Sequence, residues 1–204
     1  LANGCGEEPV RSRPLAVASL GDAVTLDPAA ISDNESAQVA LQIFDSLVRY
    51  QEGSSQVEPA LATRWAVSRD GHEWTFELRR GVKFHDGTPV TAEAVVFSFE
   101  RQRDPNHPFH FQDFTYWESS FRNIREVRAD GPYRVRLRTE KPYAPFLAGL
   151  AMFPVSIVSP TAMRRLGRDF SRRPVGSGAY RFVRWDRGVR IVLERNAEYW
   201  DTPP

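Results

Sequence analysis

Three Asp-Gly pairs, Asp70-Gly71, Asp86-Gly87 and Asp130-Gly131, each stand beside stretches in which apolar and polar residues alternate. Glycine accepts the positive φ of a tight turn, and a period of two puts one set of side chains on one face of a strand, so such a pair between alternating runs specifies an antiparallel hairpin. Trp65 and Val67 precede the first turn and Trp74, Phe76 and Leu78 follow it, and Val127 and Ala129 precede the third, with Tyr133, Val135 and Leu137 after it, so these two are expected hairpins. Val82 and Phe84 continue the period up to the second, which is expected as a turn. A further hairpin is expected around Asp186-Arg187-Gly188, with Tyr180 and Phe182 before the turn and Val189, Ile191 and Leu193 after it. Arg134, Arg136 and Arg138 occupy the alternate positions of their strand, which makes one face charged and solvated.

Helices fill the intervals. Ser32-Asp33-Asn34-Glu35 fits a capping box, with Ser32 accepting from the amide three residues on and Glu35 reaching back. Ala40, Ile43, Phe44, Leu47 and Val48 then recur at helical spacing. Thr91 caps a second helix, with Val90 and Val95 as a staple and Ala92, Val95, Val96 and Phe99 on its buried side. Short helices are expected at 144–150 and 161–166, a buried strand at 15–18, and an ordered aromatic loop at 104–117.

Composition limits what such a chain does. With 27 basic and 26 acidic residues the net charge is +1, so nothing in the bulk field draws the chain to nucleic acid or anionic lipid. A single cysteine, Cys5, excludes an internal disulfide framework and a zinc site of its own. No run of apolar residues reaches the roughly 18 that a spanning helix needs; 144–158 is interrupted by Pro145 and Pro154. Cys5 follows small residues in a way that resembles the end of a bacterial lipoprotein signal, although Ala2 stands where that signal usually has Leu. That resemblance implies a lipid on Cys5, residues 1–13 as a tether, and attachment to a membrane without spanning it.

The run Glu58-Pro59-Ala60-Leu61-Ala62 to Trp65, then Trp74-Thr75-Phe76-Glu77-Leu78-Arg79 and Gly81-Val82-Lys83-Phe84-His85-Asp86-Gly87-Thr88-Pro89-Val90-Thr91-Ala92, closely resembles the family 5 extracellular solute-binding proteins, the peptide and nickel receptors of ABC importers. Leu26-Asp27-Pro28, Phe44-Asp45-Ser46-Leu47, Val175-Gly176-Ser177-Gly178-Ala179-Tyr180 and Glu194-Arg195-Asn196 with Tyr199-Trp200 agree in order, with Ser177 and Ala179 where the family more often has Thr and Pro. The resemblance implies an α/β fold of the periplasmic-binding-protein kind (type II, peptide-receptor cluster): a mixed β-sheet with flanking helices and an inserted α+β subdomain. It implies a discontinuous core at 14–48 plus 155–204, the insert at 49–154, and a match to the first of two lobes, with the second lobe and the strand returning from it outside the chain. A monomer on the periplasmic or extracellular face, lipid-anchored, would capture a small solute, most often a di- or oligopeptide, and pass it to ABC permease subunits without catalysis, cofactor or nucleic acid.

The residues expected at the ligand are Ser32, Asp33 and Asn34 at the start of the first helix, with Asp33 facing any ligand amine; Phe109 and Phe111 as an apolar wall; and Gly176, Ser177 and Gly178 as a tight turn near the cleft. Each has a plainer role open to it: capping for the first three, packing for the aromatics. Gly176-Ser177-Gly178 lacks the spacing of a nucleophile elbow and the third glycine of a dinucleotide fingerprint. His107 and His110 with Asp104 and Asp113 have spacing open to a metal, which leaves a nickel-type receptor and, more remotely, a metal-dependent hydrolase built on the 107–113 loop as alternatives. His72 and His85 are expected to be structural.

Overall fold

The computed structural model describes residues 15–112 and 114–203; Cys5, the 1–13 tether and Asp113 lie outside them. Helix α1 (Asn34–Ile43) leads to a small hairpin, β1 (Val48–Tyr50) with β2 (Val57–Pro59). Strands β3 (Ala62–Val67) and β4 (Glu73–Leu78) follow, then helix α2 (Ala92–Arg103) and strands β5 (Ile124–Ala129) and β6 (Arg134–Thr139). Short helices α3 (Phe146–Gly149) and α4 (Pro160–Leu166) precede the last hairpin, β7 (Tyr180–Asp186) with β8 (Arg190–Arg195). Among the described residues all strand pairs are antiparallel, in sheets ordered β1-β2, β3-β4-β6-β5 and β7-β8.

The four-stranded sheet follows from its alternation. Opposite β6, Glu73, Thr75 and Glu77 of β4 face Arg138, Arg136 and Arg134, while Trp74 and Phe76 face Leu137 and Val135. One face is therefore ionic and wet, and Arg134 bonds Glu77 at 2.7 Å while Arg136 reaches Asp130 at 2.8 Å. The other face is apolar and carries α2, whose Val95 and Phe99 are fully buried. All three Asp-Gly glycines have positive φ, as the turns require.

Two apolar clusters share the interior. The larger joins the sheet to both flanks: Ala29, Leu47, Val48, Val155 and Ile157 pack with Phe76, Phe99 and Leu137. The sheet and α2 fall within 49–154, but they share this core with residues on either side of that range. The smaller cluster packs Ile31, Ala40, Ile43 and Phe44 against Phe97 of α2, Met163 of α4 and Phe170. Each large aliphatic or aromatic side chain removed from water contributes about 1.5–3 kcal/mol. Among the described residues no helix is long and apolar enough to cross a membrane.

Three local expectations need correction. Residues 15–18 form no strand, and Leu15 and Val17 are 87% and 80% exposed; among the described residues no strand pairs with them. The first helix is capped by Asp33, not Ser32: its Oδ1 accepts from the Ser36 amide at 2.7 Å, a carboxylate being the stronger acceptor at a positive helix end. That helix also stops at Ile43, and Leu47 and Val48 are buried through the next turn and β1, in the other cluster.

Candidate functional site

The segment before α1 is held down at several points. Asp27 caps a 3-10 turn (Pro28–Ala30) by accepting from the Ala29 amide, and a bidentate pair from Arg101 of α2, at 2.6 and 2.8 Å, holds the same carboxylate. Both side chains are almost wholly buried. Ser36 Oγ accepts from the amides of Val24 and Thr25, strapping the chain across the first turn of the helix. This leaves Ser32 and Asn34 exposed on a fixed rim. Asp33 spends Oδ1 on its cap, while Oδ2 is enclosed without a partner among the described residues.

The opposite end of α1 is a polar joint. Gly176 lies so close that a Cβ would sit 2.1 Å from the Ile43 carbonyl oxygen, and one on Gly178 would sit 2.6 Å from that of Gln42. The Gly178 amide donates to the Ile43 carbonyl at 2.8 Å. Ser177, 1% exposed, donates to Asp45, which also accepts from Tyr199 Oη at 3.0 Å and Trp200 Nε1 at 2.9 Å. Burial pushes the Asp45 carboxyl above its usual range despite these three donors, and pushes the Tyr199 phenol upward as well. Arg49 closes the joint by pairing with Glu58 and Asp201, and Arg79 stacks on the Trp200 ring at 4.5 Å.

His85 pins the second Asp-Gly turn to the same place. Its amide donates to the Gly176 carbonyl and its Nε2 to that of Gly178, at 2.8 and 2.9 Å. Burial holds the ring below the ordinary histidine pKa. Asp86 beside it accepts from Ser159, the cap of α4, at 2.6 Å.

The aromatic loop is half-buried. Phe109 lies 5.5 Å from Phe97 and 5.9 Å from Phe111, ring to ring, and the Arg168 guanidinium covers Phe111. His107 Nδ1 accepts from the Phe109 amide, and His110 Nδ1 donates to the Arg101 carbonyl. Both rings thereby hold the loop. Among the described residues no group of three His, Cys, Asp or Glu side chains could hold a metal ion.

The expected ligand residues therefore do not converge on one pocket within the described residues. A helix of ten residues separates the Ser32–Asn34 rim from the Gly176–Gly178 turn by about 15 Å. The turn's side chain and much of its backbone are engaged internally. An open groove of about 1000 Å³ runs between the end of α4 with the 172–175 segment and β7; a smaller hollow of about 460 Å³ lies between α2 and α4, and neither is lined by the expected ligand residues. Sequence reading passed over Asp45 and Arg101 as site builders. The one signal for Asp45 was its place in a family-like stretch, and for Arg101 there was none.

Residues 56–204 match the family described as bacterial extracellular solute-binding proteins, family 5 Middle. The chain belongs to this family. Among family 5 relatives it is 34% identical to the probable D,D-dipeptide-binding periplasmic protein DdpA of Escherichia coli, over 93% of this chain and 37% of that protein. It is 37% identical to heme-binding protein A of Haemophilus influenzae, over 91% of this chain and 36% of that one. The fold superimposes on the Helicobacter pylori periplasmic binding protein DppA in complex with the peptide STSA, with a TM-score of 0.84 and 35% identity, over 89% of this chain and 39% of that one. The chain thus spans somewhat over a third of the length of these family 5 proteins, and the joint at Asp45 is built from the stretches that carried the family resemblance.

Proposed function

We propose that this chain forms one wall of the solute cleft of an extracytoplasmic receptor that binds a short peptide and delivers it to an ABC permease. The observation that carries this reading is the likeness to a peptide-bound family 5 structure over nearly the whole chain. Ser32 and Asn34 present polar groups to the ligand, with Asp33 fixing the rim beneath them, and Phe109 and Phe111 offer a half-exposed apolar wall. Gly176, Ser177 and Gly178 act by setting the turn at the far end of α1. The second wall comes from residues beyond this chain, and ligand bridging the two favours the closed form that the permease reads. The receptor works as a monomer without catalysis, and Cys5 carries the lipid that keeps it at the membrane.

Calorimetric titration of dialanine and trialanine tests the reading. The 204-residue chain is expected to bind weakly or not at all, and a longer version carrying the remaining length of its relatives to bind saturably. Equal affinity of the two would refute the two-walled cleft. Native mass spectrometry of the longer version should reveal a co-purified peptide mass; a metal or a haem there would refute the peptide reading.

A further inference from the structure

A second feature goes beyond the solute reading and does not depend on it. The sequence from Arg164 to Arg173 carries five arginines and one acid, Asp169. Folding places Arg165, Arg172 and Arg173 on one side of the larger groove and Arg184 and Arg187 on the other. No acidic side chain lines it. Elsewhere in the fold Arg49, Arg125, Arg134 and Arg136 each meet a carboxylate, and Arg64, Arg122 and Arg195 stand without an ion pair among the described residues; what sets this site apart is that five arginines line one groove. Among the described residues, Arg165, Arg172 and Arg173 have no salt bridge or side-chain hydrogen bond, and all three are exposed. Arg184 has Asp186 at 3.2 Å, and Arg187 lies over the Trp185 ring at 3.5 Å while bonding the Ala23 carbonyl.

With a net charge of only +1, such a concentration reflects local arrangement and not bulk basicity. Like charges gathered in a concave site repel one another, and an anion that fits between them relieves the repulsion and gains charge-assisted bonds. The groove also has an apolar floor, from Leu166, Pro174, Val175, Phe182 and Trp185. Its volume is at the upper end of small-molecule sites. We infer that the groove between α4 and β7 binds a small organic polyanion, a molecule carrying two or more carboxylates or phosphates on an apolar or aromatic body. A guanidinium fork suits both anions. A bilayer fits less well: the basic groups surround a hollow, and Trp185 is tied to Asp22 Oδ1 at 2.8 Å instead of projecting outward.

Trimesate, an aromatic trianion, is the probe, titrated into the 204-residue chain by calorimetry at low ionic strength, with its neutral triamide as the control. Saturable one-to-one binding of trimesate alone is expected. Arg172→Gln with Arg173→Gln should weaken it about tenfold or more, whereas Arg125→Gln with Arg134→Gln, which removes the same charge from other surfaces, should leave it unchanged. Both pairs are exposed, so circular dichroism and melting temperature should confirm that each variant is folded. Absence of saturable binding, or equal weakening by the two pairs, would overturn the assignment. So would preferential binding of phosphatidylglycerol vesicles or a poly-glutamate peptide, blocked by Arg172→Gln with Arg173→Gln, which would give the groove to a membrane or an acidic protein partner.

Discussion

The pair between Asp27 and Arg101 gives the sharpest energetic test of how the rim is held. It joins α2 to the 3-10 turn before α1, with the two side chains 7% and 1% exposed and bonded twice, at 2.6 and 2.8 Å. At that burial an ion pair gains little over an apolar replacement, but removing one member strands the other. Arg101→Met should therefore cost about 3–5 kcal/mol, or roughly 6–20 °C of melting temperature at the ~2–4 °C per kcal/mol usual for this size. Asp27→Ala should cost at least as much, since it strands a guanidinium 5.7 Å from the Phe114 ring and also deletes the cap on the Ala29 amide.

The double variant decides the mechanism. If the penalty comes from a stranded charge, Asp27→Ala with Arg101→Met should be clearly less unstable than the sum of the singles, with a coupling energy of about 2 kcal/mol or more. Urea unfolding followed by the fluorescence of the five tryptophans measures all four proteins. A cost below about 1 kcal/mol for either single, in the range of a surface pair, or strict additivity of the two, would refute the argument.

Gly176→Ala drives a methyl toward the Ile43 carbonyl and the Phe44 ring, neither of which is a flexible side-chain end, and should destabilise by about 1–3 kcal/mol in the same urea assay; a variant as stable as the parent would show that the turn is not seated as described. His85 predicts a pH dependence. Its folded pKa lies below the unfolded value of about 6.5, because burial disfavours the charged ring; the nearby Asp86 and Glu194 oppose that shift and Arg181 adds to it. The unfolded chain then binds more protons in that window, so this contribution to stability is present above about pH 6.5 and falls as pH drops toward the folded value. His85→Gln, which can still donate to the Gly178 carbonyl, should flatten that part of the profile; an unchanged slope would count against the histidine.

Local signals made the hairpins of the sheet legible and left their surroundings obscure. The hairpins at Asp70-Gly71 and Asp130-Gly131 are contiguous, so their period-two runs and turn residues carry the β3–β4 and β5–β6 pairings and the charged face of β6. The β4–β6 seam, in which Arg134, Arg136 and Arg138 meet Glu77, Thr75 and Glu73, joins strands far apart in the chain and has no local signal. The first helix misled because its apolar spacing continues past its end: Leu47 and Val48 satisfy the helical period but are buried by a different cluster after the chain has turned. Arg101 reads as an ordinary basic residue in the last turn of an amphipathic helix, and its partner lies 74 residues earlier. The strand expected at 15–18 had the right composition, but a strand needs a neighbour, which single-strand patterning does not supply.

The candidate site was less legible for a reason that lies in α1. Of the residues expected at the ligand, Gly176, Ser177 and Gly178 meet Asp45, Tyr199 and Trp200 inside the fold at the C-terminal end of that helix, drawn together over separations of 132 to 155 residues. Their types are set by packing: glycine where backbones touch, and donors where a buried carboxylate needs them. Ser32 and Asn34 at the other end are exposed, and a substitution there disturbs no buried bond. A substitution at the joint therefore breaks buried bonds, whereas one at the rim leaves them intact. Recognition of a particular solute should accordingly reside in side chains that carry little of the family pattern.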